Sequence, residues 1–279
     1  DPFMGSGTTA VEASLLDSNI FGVEMDPFAR LISEVSIMRF SSDELTKLEA
    51  TFKDISTNWR KSSINHELYP DLKNVDYWFD ENTFEDLLRL KTHIYLNVSD
   101  EKMLKYFQVV FADCIKPCSK MERQSTKPYI SSKYEKKIKS VDDSIRYSFK
   151  KHLNASKQYS TAKHTDPSIT WLGLNATDFR SPGEIIDIAI TSPPYINAFD
   201  YTQVIKVESA WVGTLSNQTI NALREVQVGH ERRRFSSANK SVKDIFEPVY
   251  SQIINSVAPV SDTIKAKSAD TCLAYFNDI

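Results

Sequence analysis

The chain has 279 residues, 41% of them hydrophobic and 25% charged, with a formal net charge of −3. Those values fit a soluble globular protein of one large or two small domains and exclude a polycation, so nucleic-acid contact would have to come from a local basic face. No apolar run is long enough to span a bilayer, no signal peptide opens the chain, and three cysteines, Cys114, Cys118 and Cys272, make no disulfide framework, which fits a reducing cytoplasm.

Residues 1–40 read as a loop, a helix, a short strand and a second helix. Gly5-Ser6-Gly7 breaks regular structure. Thr8 to Leu16 is the first helix, with Val11, Leu15 and Leu16 on one face. Ile20-Phe21-Gly22-Val23 is a buried strand ending at Glu24. Asp26 serves as N-cap for a helix opened by Pro27, which carries Leu31, Ile32 and Val35.

Residues 41–165 are polar, lysine-rich and mostly helical. Leu45, Leu48, Phe52, Ile55 and Trp59 follow amphipathic spacing behind an N-cap at Ser42. A second stripe runs through Phe84, Leu87 and Leu88, and a third through Met103, Phe107, Val110, Phe111 and Cys114. These stripes are core, and Cys114 and Cys118 pack there as small hydrophobes. From Cys118 to Tyr159 the chain is loop and basic helix, with Lys133, Lys136, Lys137, Lys139, Arg146, Lys150 and Lys151; a solvated face is the favoured explanation of this run, and contact with nucleic-acid phosphates the alternative.

Residues 166–200 return to α/β character, and after Tyr195 the chain becomes mixed. Thr170 to Leu174 is one strand, Ile185 to Thr191 a stronger one, and Val204 to Val212 a helix; Arg232-Arg233-Arg234 forms a basic knot.

Two segments carry chemistry. In Asp1-Pro2-Phe3-Met4-Gly5-Ser6-Gly7-Thr8-Thr9 the glycines permit positive φ and close approach of the backbone to a ligand, and the next helix points free N–H groups at it. Alone, such a loop also fits a plain strand-to-helix turn. Glu24, 17 residues after Gly7, adds a strand-end carboxylate able to accept from both hydroxyls of a ribose. In Thr191-Ser192-Pro193-Pro194-Tyr195 two prolines fix the backbone and remove two donors, leaving carbonyls free to accept, and a tyrosine offers a flat face. That set suits a planar base bearing an amine, or a strand-ending turn.

Asp-Pro-Phe-x-Gly-Ser-Gly-Thr-Thr together with Ser-Pro-Pro-Tyr resembles the amino-methyltransferase family of DNA-modifying enzymes, over residues 1–40 and 165–213. The resemblance implies an α/β fold: a Rossmann-like S-adenosylmethionine-dependent methyltransferase sheet with a large, mostly helical insertion. Residues 1–40 would be its cofactor-binding part, 41–165 the insertion, and 166–279 the catalytic part with a possible DNA-contacting segment. It implies S-adenosylmethionine as cofactor, held by Asp1, Phe3, Gly5, Ser6, Gly7, Thr8, Thr9 and Glu24. Asn175 stands nearest to where the family has an acidic residue beside the cofactor adenine. Ser192, Pro193, Pro194 and Tyr195 would be catalytic. Serine in place of aspartate at position 192 resembles the cytosine-directed group rather than the adenine-directed one. Asn197, Asp200 and Tyr201 would line the base pocket, or simply form a polar loop.

The implied partner is double-stranded DNA, gripped by Arg232, Arg233 and Arg234, with a cognate restriction endonuclease alongside and no membrane. An RNA amine methyltransferase and a non-catalytic DNA-binding protein are the competing readings. The family places a strand before Asp-Pro-Phe, and further strands after the catalytic one. Their absence here suggests a chain cut at both ends, which alone should fold poorly; a cooperative melt of these 279 residues with bound cofactor would argue against that.

Overall fold

A computed structural model describes all residues except 123–126, 164, 180–182, 184–185, 196–199, 229–239, 257–260 and 279. The described chain is mixed α/β and mostly helical, with a small parallel sheet. In order it runs α1 (Thr8–Leu15), β1 (Ile20–Val23), α2 (Pro27–Ser36), α3 (Ser42–Asn58), α4 (Val75–Trp78), α5 (Glu81–Asn97), α6 (Glu101–Cys118), α7 (Val141–Ala162) and β2 (Ile169–Gly173). Then come α8 (Tyr201–Val204), α9 (Lys206–Val212), α10 (Asn217–Val226), α11 (Lys240–Ile254) and α12 (Asp262–Asp278).

The sheet positions everything else. β1 and β2 pair in parallel, Ile20 opposite Ile169 and Val23 opposite Gly173, with an irregularity between Gly22 and Val23. Parallel neighbours need a crossover, and here the crossover is the whole stretch from α2 to α7. On the other edge of β1 lie the first residues of the chain: Met4 N donates to Val23 O at 3.0 Å and Val23 N to Asp1 O at 3.0 Å. Gly22 leaves room for its neighbours. A Cβ there would sit 2.8 Å from Met4 Cε and 3.0 Å from the Trp171 ring, which close over it from two sides.

The helical layer holds the main core. Leu48, Ile55, Trp59, Leu87, Leu88, Phe107, Val110, Phe111, Ile145 and Phe149 are buried in one cluster, and the Phe52 and Phe149 rings stack at 3.8 Å. Cys114 and Cys118 are buried there, as their spacing suggested. The cluster also takes in Phe28, Leu31 and Val35 of α2 and Val207, Ala210 and Trp211 of α9, so one core draws on segments from across the chain. Trp211 is the key: its ring meets Phe79 at 5.4 Å, Phe84 at 5.2 Å and Phe111 at 6.1 Å. Burial of that indole locks α9 onto α6.

Several local expectations are corrected. Ser41, not Ser42, caps α3, because Ser41 alone can close the reciprocal box with Glu44: Glu44 N donates to Ser41 Oγ at 3.2 Å and Ser41 N to Glu44 Oε2 at 2.7 Å. α1 buries Ala10 and Ser14, while Leu15 and Leu16 are exposed. The second strand is Ile169–Gly173 rather than Thr170 to Leu174, and the helix expected over Val204 to Val212 breaks at Ile205. The largest difference is the strand expected over Ile185 to Thr191. Residues 186–195 have no regular structure, and Ile186, Ile188 and Ile190 are 44%, 76% and 54% exposed. A strand needs a neighbour; β1 carries β2 on one edge and residues 1–4 on the other, which closes β1 to this segment, and among the described residues the segment does not pair with the outer edge of β2 either. No helix among the described residues is long and apolar enough to cross a membrane.

Candidate functional site

The glycine loop is built by its own side chains. Asp1 Oδ1 accepts from Phe3 N at 2.9 Å and Asp1 Oδ2 from Thr9 Oγ1 at 2.8 Å, which ties the start of the loop to the first turn of α1. Gly5 and Gly7 both adopt positive φ, +57° and +89°. Gly7 N donates to Met4 O at 3.1 Å, and Gly7 O takes the first helical bond from Val11 N at 2.9 Å. The earlier N–H groups of α1 therefore have no intrahelical acceptor, and no side chain caps them.

The strand-end acid closes the site from below. Glu24 Oε2 accepts from Gly5 N at 2.7 Å and Oε1 from Asp26 N at 2.8 Å. Burial pushes the Glu24 carboxyl above the usual range; the backbone amides of Asp26, Gly5 and Met25 oppose that shift, and the nearby Asp26 charge adds to it. Asp26 caps α2 as expected, accepting from Phe28 N at 2.8 Å and Ala29 N at 3.2 Å. Its carboxyl is also raised by burial.

Asn175 comes to the same end of the sheet. Val23 pairs with Gly173, so Glu24 lies one residue, and Asn175 two residues, beyond the last paired positions of parallel strands. The Asn175 side chain accepts from Thr177 N at 3.0 Å and its carbonyl from Asp178 N at 3.1 Å, making a tight turn. Loop, Glu24 and Asn175 thus gather at the carboxyl edge of a parallel pair, where open α/β sheets bind ligands.

The second motif is not joined to the first. Among the described residues no hydrogen bond, ion pair or ring contact links Ser192, Pro193, Pro194 or Tyr195 to residues 1–9; Ser192 and Tyr195 are exposed, with Tyr195 65% so. Asp200 belongs to a clamp: its Oδ2 pairs with Arg224 Nε at 2.9 Å and its Oδ1 accepts from Thr202 Oγ1 at 2.5 Å. Tyr201 is exposed at the start of α8. Asn197 and the Arg232-Arg233-Arg234 knot lie outside the described residues.

Two residues of the site escape sequence reading. Ser33, fully buried on α2, donates to Gly5 O at 2.8 Å and to Ala29 O at 3.0 Å, and its atoms crowd the face of Gly7. The available signal was a small polar residue interrupting the apolar stripe of α2. Arg224 is the other, a buried cation whose partner Asp200 is distant in sequence.

These features define a mixed α/β protein whose glycine loop, strand-end acid and Asn175 turn meet at the carboxyl edge of a small parallel sheet, a candidate ligand site. In sequence the chain is similar to the type II methyltransferase M.MvaI of Kocuria varians, 22% identical over 296 residues that take in 100% of this chain and 64% of that protein. It is similar to the type II methyltransferase M.BsoBI of Geobacillus stearothermophilus, 24% identical over 278 residues, 90% of this chain and 53% of that protein. A shorter likeness, 42% identity over 48 residues, is to the type II methyltransferase M.MjaII of Methanocaldococcus jannaschii, covering 17% of this chain and 9% of that protein. The chain thus spans between about half and two thirds of the two longer relatives. No family model and no solved structure matches it.

Proposed function

We propose that this chain is the cofactor-binding and catalytic part of an S-adenosylmethionine-dependent DNA methyltransferase of the amino-methyltransferase type, built on a Rossmann-like sheet. It methylates the exocyclic amine of cytosine at specific sites, within a restriction-modification pair with a cognate endonuclease. The observation that carries the reading is the 2.7 Å bond from Gly5 N to Glu24 Oε2, which assembles the glycine loop and the strand-end acid into one site. Similarity to type II methyltransferases supports it.

The residues fit the cofactor. Beyond Gly5, where a side chain would project, nothing lies within 4 Å, so the loop presents bare backbone to open space. Glu24 accepts from the amides of Gly5 and Asp26, and a carboxylate has about four lone-pair sites, so acceptor capacity is left for ribose hydroxyls. Phe3, Ser6, Thr8 and Thr9 frame the loop and Asn175 faces the adenine. When bound, S-adenosylmethionine supplies a methyl group on a positively charged sulfur. An exocyclic amine attacks poorly because its lone pair is delocalised into the ring. Ser192 Oγ and the Pro193 carbonyl accept from the amine N–H groups, restore that lone pair and aim it, a positioning and electrostatic effect. Pro194 holds the turn rigid. The target base has to leave the duplex to reach these groups, and Tyr195 stacks on it, worth ~1–3 kcal/mol. Arg232, Arg233 and Arg234 hold backbone phosphates.

Glu24 sets a pH limit. Its ribose contacts require the ionised carboxylate, and burial raises the pH at which that form is lost. Cofactor affinity should therefore fall on acidification from neutrality, earlier than for a solvated glutamate, and calorimetric titration across pH will show it. Glu24→Gln should flatten the profile and weaken binding by about 10–100-fold, since hydrogen bonds to a charged group contribute roughly 1.5–3 kcal/mol. A wild-type profile flat through the acid range would contradict the assignment.

The reading is tested by offering the full-length protein methyl-labelled cofactor with duplex DNA or with RNA. Label is expected in DNA alone. Label in RNA alone would make the chain an RNA amine methyltransferase, and cofactor binding without any label would leave a non-catalytic relative.

A further inference from the structure

Residues 127–139 carry five lysines, Lys127, Lys133, Lys136, Lys137 and Lys139, against one acid, Glu135, in a chain whose net charge is −3. The segment has no helix or strand of its own, yet it is a built arm. The Lys136 ammonium donates to the carbonyls of Lys116, Ser119 and Met121 at 2.5, 2.9 and 2.7 Å, satisfying the carbonyl end of α6. Lys139 N donates to Pro117 O at 3.1 Å, Glu122 N to Tyr129 O at 2.9 Å, and Tyr134 OH to Glu122 Oε2 at 2.7 Å.

The structure sorts the basic run that follows Cys118. Lys136 is an anchor. Arg146 donates to Ser56 O, and Lys151 pairs with Asp113 at 3.0 Å. Lys133 and Lys139 stay exposed, the Lys139 ammonium only 5.2 Å from the Tyr147 ring centre. The arm also connects to the catalytic segment. Its neighbour Lys120 donates from N to Trp78 O at 2.8 Å and pairs with Asp80 at 2.9 Å. On the other side of α4, Asp71 accepts from Asn217 at the start of α10 at 2.8 and 3.0 Å. α10 carries Arg224, the partner of Asp200, which lies five residues after Tyr195.

We infer that this arm is a backbone-phosphate contact for duplex DNA, made by Lys133 and Lys139 on a scaffold held by Lys136. The inference rests on the DNA-methyltransferase reading above. Lysines on flexible stems suit phosphates, as point charges without base selectivity. Anchoring one lysine internally fixes the others, so less freedom is lost on binding.

The test uses the full-length protein with mixed-sequence duplex DNA over a range of salt. Lys133→Gln with Lys139→Gln should reduce the slope of log affinity against log salt by about 2, roughly one per lost phosphate contact, equally for all sequences. Lys157→Gln is the control for net charge: Lys157 is exposed on α7 and already paired with Glu49 at 2.6 Å, so the slope should hold. Cofactor affinity should stay the same in all three proteins. A wild-type slope in the double variant would overturn the inference and leave the enzyme reading intact. A wild type that binds no DNA would overturn both.

Discussion

Ser192→Ala is expected to slow methyl transfer by about 10²–10³-fold, the loss that follows removal of one prearranged hydrogen-bonding group from a reaction centre. Ser192 is exposed and makes no hydrogen bond to the described protein, so it is available to a substrate and its removal leaves no buried group unsatisfied. Folding, cofactor affinity and DNA affinity should therefore be unchanged. The loss should fall on kcat, because the acceptor matters most as the amine lone pair is released toward the methyl group. Single-turnover transfer with saturating DNA and labelled cofactor will read this. An unchanged rate would remove Ser192 from the mechanism.

Gly7→Ala should unmake the proposed cofactor site. At φ +89° an L side chain is strained, and the new Cβ would stand 2.8 Å from Ser33 Cα and 2.9 Å from Ser33 Cβ and Oγ. The first two of those atoms lie at the base of a residue fixed in α2 and cannot swing away. Strain and overpacking together should destabilise the fold by about 2–4 kcal/mol, and relief by moving α1 from α2 would break the 2.8 Å bond from Ser33 to Gly5 O. Gly5→Ala is the informative comparison. It too has positive φ, +57°, but nothing lies within 4 Å of its Cβ, so only the backbone strain of about 1–2 kcal/mol applies to the free protein. Melting curves should separate the two variants, with Gly7→Ala much the less stable, while cofactor titration should show both weakened. Equal stability would mean that the loop does not pack on α2 as described.

The features legible in the sequence are those whose causes are local. Glycines that need positive φ, a strand of Ile20, Phe21 and Val23 ending in an acid, and Asp26 ahead of Pro27 each announce themselves within a few residues, and each is found in place. The α3 cap was missed by one residue because two adjacent serines qualify; only the reciprocal bond with Glu44 selects Ser41. Ile185 to Thr191 reads as a strand because apolar patterning reports suitability for a sheet, whereas pairing depends on an edge supplied from elsewhere. Trp211, Ser33 and Arg224 were illegible for the same reason: their partners Phe111, Gly5 and Asp200 are brought near only by the fold.

The central claim is methyl transfer to the cytosine amine at the Ser192-Pro193-Pro194-Tyr195 segment. The most direct measurement is mass analysis of nucleosides from duplex DNA treated with the full-length protein and cofactor, with the Ser192→Ala protein in parallel. The account predicts cytidine nucleosides methylated on the exocyclic nitrogen, sharply reduced in the variant. Methylation confined to the adenine amine would contradict the choice of base, and unmodified DNA in the presence of bound cofactor would contradict the claim itself.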